Sequence, residues 1–163
     1  RNDQAFGFAG DDQLFGGSGR DKLFGGDDND LLDGGFGNDK LFGEAGNDDL
    51  KGGFGRDILE GGEGDDTVDG GFGSDIIIVG EGNDIVSGGF GRDTFVFEAG
   101  IGTATVTDLS RFDRVEFDGV SLSAIDTAGD DITVSLSDGG TVILEDFEFG
   151  RHLPSWADED LIV

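Results

Sequence analysis

Three features of the sequence predict an all-β fold wound as a parallel β-solenoid and closed at its C-terminal end by ordinary strands. A nine-residue unit repeats ten times from Gly7 to Val96 without insertion, in blocks starting at residues 7, 16, 25, 34, 43, 52, 61, 70, 79 and 88. Every block carries an apolar residue in its eighth position, and most carry glycine in the first, second and fourth. After Val96 the nine-residue register fails, and segments of ordinary strand length follow.

Residues 1–6 fit the back half of a further block, with Asp3 and Ala5 in the sixth and eighth columns and Arg1 where glycine would stand. The chain is therefore expected to be a fragment of a longer protein whose N-terminal part holds more repeats. From Gly7 onward, three residues per block, such as Ile58-Leu59-Glu60, form a very short strand whose middle side chain points inward. The other six make a turn, where glycine permits left-handed backbone angles and keeps a tightly curved loop clear. Two strands and two turns give a coil of 18 residues, and coils stack at ~4.8 Å with the eighth-column side chains as a thin core.

The sixth column is Asp in all ten blocks: Asp12, Asp21, Asp30, Asp39, Asp48, Asp57, Asp66, Asp75, Asp84 and Asp93. Solvated turns alone would not hold one residue type in one column that often. Stacking puts Asp side chains and peptide carbonyls of two loops around each gap between coils. About six hard oxygens per gap, with no nitrogen or sulfur, suit Ca²⁺ better than Zn²⁺ or Cu²⁺, and better than Mg²⁺, which keeps its waters. Aspartates are the charged candidate ligands. Carbonyls of Gly17, Gly19, Gly35, Gly37, Gly53, Gly55, Gly62, Gly64, Gly71, Gly73, Gly89 and Gly91 are the neutral ones.

Together these columns resemble the repeats-in-toxin (RTX) family of calcium-binding nonapeptide proteins, whose motif is GGxGxDxUx. The resemblance covers residues 7–96 and implies a calcium-dependent parallel β-roll, in a bacterial secreted protein whose effector is a protease, lipase, toxin, epimerase or adhesin.

Alternate blocks fall on opposite edges of the roll. The edge starting at 16, 34, 52, 70 and 88 is regular; the other departs at Phe8, Asp28, Glu44 and Val79. Five loops per edge leave four gaps, so about eight calcium sites are expected, the irregular edge being weaker. Val79 and Asp28 replace glycine where backbone freedom is wanted, although Asp28 could add a carboxylate instead. On the regular edge Phe36, Phe54, Phe72 and Phe90 recur every 18 residues and Arg20, Arg56 and Arg92 every 36. They read either as a groove for sugar rings or an acidic polysaccharide, or as rings covering one another beside cations that offset carboxylates. The second reading is preferred, because stacking juxtaposes identical columns automatically.

In the cap, strands are expected at 103–107, 113–117, 131–136 and 141–144, with a hairpin signal at Asp138-Gly139-Gly140. Asp108, Asp113 and Asp118 read as surface carboxylates, with an extra ion as the alternative. The ending Asp160-Leu161-Ile162-Val163 is similar to the C-terminus of serralysin-type proteins, which implies an uncleaved type I secretion signal. The division is then 1–96, the roll, and 97–163, the β cap with the secretion segment.

Thirty-seven acidic against 10 basic residues give a net charge of -27, which excludes nucleic acid and anionic membrane as partners and predicts disorder without bound cations. No Cys is present, and no apolar run approaches the ~20 residues of a membrane span. His152 is the only histidine, so an HExxH helix cannot form, and no GxSxG elbow or phosphate loop exists. The expected function is a non-enzymatic calcium-binding module, secreted to the extracellular space, that folds on Ca²⁺ and serves type I secretion machinery; the alternative is a polysaccharide-binding module like those of alginate epimerases.

Overall fold

Side chains alternate sides along a strand, so a residue in the eighth column and one in the sixth face the same way, and the seventh faces away. The computed structural model, which describes residues 1–127 and 131–145, has this pattern throughout: Leu32, Leu41, Leu50, Leu59 and Ile77 are fully buried, and Asp39, Asp57 and Asp75 are buried beside them. Among the described residues there are nineteen strands, β1 to β19, and no helix.

One sheet stacks, in order, β1 (Gln4–Ala9), β4 (Lys22–Asp27), β7 (Lys40–Ala45), β9 (Ile58–Glu63), β11 (Ile76–Val79), β14 (Thr94–Phe97) and β16 (Arg114–Phe117). The facing sheet stacks β2 (Gln13–Phe15), β5 (Leu31–Asp33), β8 (Asp49–Gly55), β10 (Thr67–Gly73), β12 (Asn83–Ser87), β15 (Thr103–Val106) and β19 (Thr141–Leu144). Short strands β3 (Ser18–Gly19), β6 (Phe36–Gly37) and β13 (Phe90–Gly91) line up along the regular edge. Pairing through the repeats is parallel with an offset of 18 residues, as in Leu23↔Leu41, Leu41↔Leu59, Leu32↔Leu50 and Leu50↔Val68. This is the expected parallel β-roll.

Strands in the middle of the roll are longer than three residues, because the turns stack as well. Phe36 N–H donates to Gly17 O at 2.9 Å and Phe54 N–H to Gly35 O at 2.8 Å, so the ladder runs through the glycines into the edge. At the fourth column of the regular edge no side chain fits: a Cβ on Gly73 (φ 154°) would fall on the carbonyl oxygen of Gly55.

The coil also winds past Val96. β14 pairs with β16 and β12 with β15 at an offset of 20, as in Phe95↔Val115 and Val86↔Val106. Two extra residues thus enter without breaking the stack, and Asp113 falls in the sixth column, with Ala104 in the corresponding place on the other edge. Beyond the roll, β18 (Ile132–Leu136) and β17 (Leu122–Asp126) extend the second sheet antiparallel. The hairpin at Asp138-Gly139-Gly140 forms as expected, with Gly139 at φ 105°. β17 has no sequence signal of its own, since Ser123 and Ala124 are poor strand formers; Ser123 Oγ ties it to Ser135 O at 3.0 Å. The secretion-signal reading of Asp160 to Val163 lies outside the described residues.

Phe8, Asp28 and Glu44 take φ angles of 79°, 78° and 78°, the left-handed region that costs a side-chain-bearing residue about 1–3 kcal/mol. Val79 does not, which corrects the expectation that it needed glycine-like freedom. It stands in the first column, ends β11 paired with Phe97, and is buried against the core.

These positions separate two roles of glycine. Gly73→Ala should abolish cooperative folding in calcium, because its methyl would collide with backbone. Gly17→Ala, with φ 84° and open space around it, should cost only about 1 kcal/mol, and Glu44→Gly should gain about as much. Urea midpoints of the three variants at saturating calcium measure all of this.

Candidate metal centres

Nine of the ten sixth-column aspartates, all but Asp12, use their two oxygens differently. Oδ1 accepts the backbone N–H of the aspartate one coil earlier: Asp21 N–H to Asp39 at 2.7 Å, Asp39 to Asp57 at 2.7 Å, Asp57 to Asp75 at 2.8 Å and Asp75 to Asp93 at 2.9 Å. The other edge repeats this from Asp12 through Asp30, Asp48 and Asp66 to Asp84, at 2.7–2.9 Å. Oδ2 has no partner. Nine such oxygens, on Asp21, Asp30, Asp39, Asp48, Asp57, Asp66, Asp75, Asp84 and Asp93, are buried without any hydrogen bond. Asp12, on the first complete block, is only half buried.

A buried, half-bonded carboxylate is costly unless a cation or proton meets it. Burial pushes Asp48, Asp57, Asp84 and Asp93 up to about 6 and Asp66 and Asp75 to about 7, against an ordinary 3.8. The donated N–H pulls each back, and neighbouring aspartates push up again, as Asp84 and Asp48 do to Asp66. Asp30 and Asp39 are raised by the same causes.

The space beside Oδ2 is kept open by the first-column glycines. A methyl on Gly16 would stand 2.8 Å from Gly34 O and 3.0 Å from Asp21 Oδ2; on Gly34, 2.7 Å from Gly52 O and 2.9 Å from Asp39 Oδ2; on Gly70, 2.8 Å from Gly88 O and 3.0 Å from Asp75 Oδ2. A carbonyl of one coil and a carboxylate of the previous coil therefore face one point. First-column glycines have no left-handed φ, so space alone explains them. The sequence points to second- and fourth-column carbonyls as ligands and gives the first column, Gly in nine blocks of ten, the same left-handed freedom as the other turn glycines, whereas its glycines serve by the space they leave.

The expected neutral ligands lie along the same loops. Gly17, Gly35 and Gly62 carbonyls each already accept an N–H from the next coil, at 2.8–2.9 Å, and keep one lone pair. Gly53 pairs with Gly71, and Gly89 N–H donates to Asp108 Oδ2 at 2.7 Å. In the fourth column Gly19, Gly37, Gly55, Gly73 and Gly91 stack along the regular edge and Gly64 along the other, each carbonyl that has a successor aimed at the Cα of the next. Among the described residues no three acidic, imidazole or thiol side chains converge. A cation here would have to take carbonyls together with aspartates, an all-oxygen set whose chemistry fits Ca²⁺.

Asp108 and Asp113 close the ladder. Asp108 accepts Gly88 N–H at 2.9 Å as well as Gly89 N–H, and Asp113 accepts Asp93 N–H at 2.9 Å and Ser110 N–H at 2.7 Å. Asp28, the possible extra carboxylate, takes Gly10 N–H at 3.1 Å.

Asp57→Asn should separate the two oxygens. The amide keeps the Oδ1 bond but turns Oδ2 into a donor, so the calcium midpoint for folding should rise at least about tenfold, while Asp57→Ala should lose the roll's continuity as well.

The chain matches the description RTX calcium-binding nonapeptide repeat in four stretches, residues 6–41, 42–77, 60–95 and 69–104. Among solved structures, the AlgE6R3 subunit of the mannuronan C5-epimerase of Azotobacter vinelandii is 26% identical with a TM-score of 0.45, covering 60% of this chain and 70% of that one. Extracellular lipase LipA from Serratia marcescens is 16% identical with a TM-score of 0.40, covering 87% of this chain and 39% of its own. No curated protein matches. With the repeats matched from residue 6 to residue 104 and the roll they build in view, the chain belongs to the RTX calcium-binding nonapeptide repeat family.

Proposed function

We propose that this chain is a calcium-triggered folding module of a secreted bacterial protein, kept unfolded for export by type I secretion machinery and folded in the extracellular space. The observation that carries this is the nine buried Oδ2 atoms without partners, in one row along each edge. In the metal-free chain, the same contacts that form the roll bury one carboxylate oxygen per block and bring like charges into adjacent coils. That cost, added to a net charge of -27, opposes compaction.

Bound calcium supplies double positive charge and takes oxygen ligands only. Asp Oδ2 and glycine carbonyls of successive coils are the atoms that would hold about eight ions; Oδ1 would hold the coils in register. Extracellular-type sites work at about 10⁻⁴–10⁻³ M, so a chain of this kind stays open inside a cell and closes outside it. The cap, joined to β12 through β15 and to β14 through β16, offers a template from which coils propagate. No catalysis is assigned to the module.

The polysaccharide alternative gains nothing from the rings. Phe36, Phe54, Phe72 and Phe90 stack at 4.8–5.0 Å with interplanar angles of 3–13°, so the inner faces cover one another and Phe54 and Phe72 offer sugars only ring edges.

Far-UV circular dichroism of the metal-free chain during calcium and magnesium titrations tests the proposal. A cooperative coil-to-β transition at high micromolar to millimolar calcium, absent with magnesium, is expected; a chain already folded without metal refutes it. Acid should substitute partly for the metal. Because the folded carboxyls are raised above 3.8, they bind protons more tightly than the unfolded chain does. Their contribution to the metal-free roll is full below about pH 4 and is lost as the pH rises through about 6 to 7. The metal-free chain should therefore show more β structure at pH 5 than at pH 8.

A further inference from the structure

The two edges of the roll differ in charge as well as in regularity. Columns two to five of the regular edge contain three arginines and no acid; the same columns of the other edge contain seven carboxylates and no base. Arg20, Arg56 and Arg92 are exposed and make no ion pair with any described residue, in a chain with 37 acidic side chains.

These arginines also interrupt a second hydrogen-bond ladder. In the fifth column of the acidic edge, each side chain accepts the N–H one coil later: Asp11 from Asn29 at 3.1 Å, Asn29 from Asn47 at 2.8 Å, Asn47 from Asp65 at 2.9 Å and Asp65 from Asn83 at 2.8 Å. On the regular edge Asn2 and Asn38 do the same for Arg20 and Arg56, at 3.0 and 3.1 Å. An arginine has no acceptor, so the rungs after Arg20 and Arg56 are given up. Residues that break a local rule without a compensating internal contact point to an external one.

We infer that the Arg20, Arg56 and Arg92 edge docks, in the calcium-loaded state, on the acidic edge of a second copy of this chain. Commensurability selects that occupant. The rings set the coil spacing at 4.8–5.0 Å, so the arginines recur about every 10 Å. A second roll lying alongside has the same spacing, and with the block at 16 beside the block at 7, Arg20 comes level with Asp11, Arg56 with Glu44 and Arg92 with Glu81. The exposed ring edges of Phe54 and Phe72, which carry the positive side of the aromatic quadrupole, face the same carboxylate-rich surface. The contact joins unlike edges, so it propagates into open rows instead of closing as a dimer.

Sedimentation velocity at saturating calcium tests this. The chain should associate with rising concentration at about 20 mM salt and dissociate at about 500 mM, where exposed charges are screened. Arg20→Gln, Arg56→Gln and Arg92→Gln combined should stay monomeric while keeping the calcium-induced β signal. A variant with those arginines changed to Glu and one carrying Glu44→Lys and Glu81→Lys should each be monomeric alone and associate when mixed. A wild-type chain that is monomeric up to about 1 mM, or whose association ignores the arginines, overturns the inference. So does Arg-dependent binding of polygalacturonate by a monomeric chain, which would assign the edge to an acidic glycan.

Discussion

The structure depends on one hydrogen bond repeated along both edges, from the amide of a sixth-column aspartate to Oδ1 of the aspartate one coil further on. It ties coils at an interval of 18 residues, orients every carboxylate the same way, and by occupying one oxygen leaves the other for a cation. Neither half works alone. Without Oδ1 the turns lose their register, and without a cation at Oδ2 the roll buries charge that water would otherwise solvate. On the proposed reading, folding and metal binding would be carried by the same side chain, each a condition of the other.

Glycine divides its work by column in a way that follows from this bond. Fourth-column glycines let backbones approach so closely that Gly73 has no room for a Cβ against Gly55 O. First-column glycines leave the cavity where Oδ2 meets the next coil's carbonyl. The residues that depart from the pattern show which demand is strict. Phe8, Asp28 and Glu44 accept left-handed angles, whereas Val79 occurs where the stacked partner is Phe97 and its side chain joins the core.

Much of this was legible in the residues. Invariant Asp and apolar columns with no insertion force an 18-residue coil, and the parallel register follows. Burial of Asp57 follows from the same pattern: period two puts the sixth column on the same side as Leu59 in the eighth. Continuation of the coil past Val96 was hidden by two inserted residues, which shift Asp113 and Val115 out of a strict nine-residue count without shifting them in space. Strand β17 was hidden by composition, because it is held by pairing to β18 and not by its own propensity. The split role of each carboxylate could not be read at all, since it depends on a distance between residues 18 apart.

The most direct measurement is a crystal structure of the calcium-loaded chain with ions located by anomalous scattering. The account predicts ions about 2.3–2.6 Å from Oδ2 of Asp39, Asp57, Asp66 and Asp75, beside first-column glycines, with Oδ1 still bonded to the neighbouring amide. Ions held only by exposed carboxylates, with the buried Oδ2 atoms uncoordinated, would contradict it.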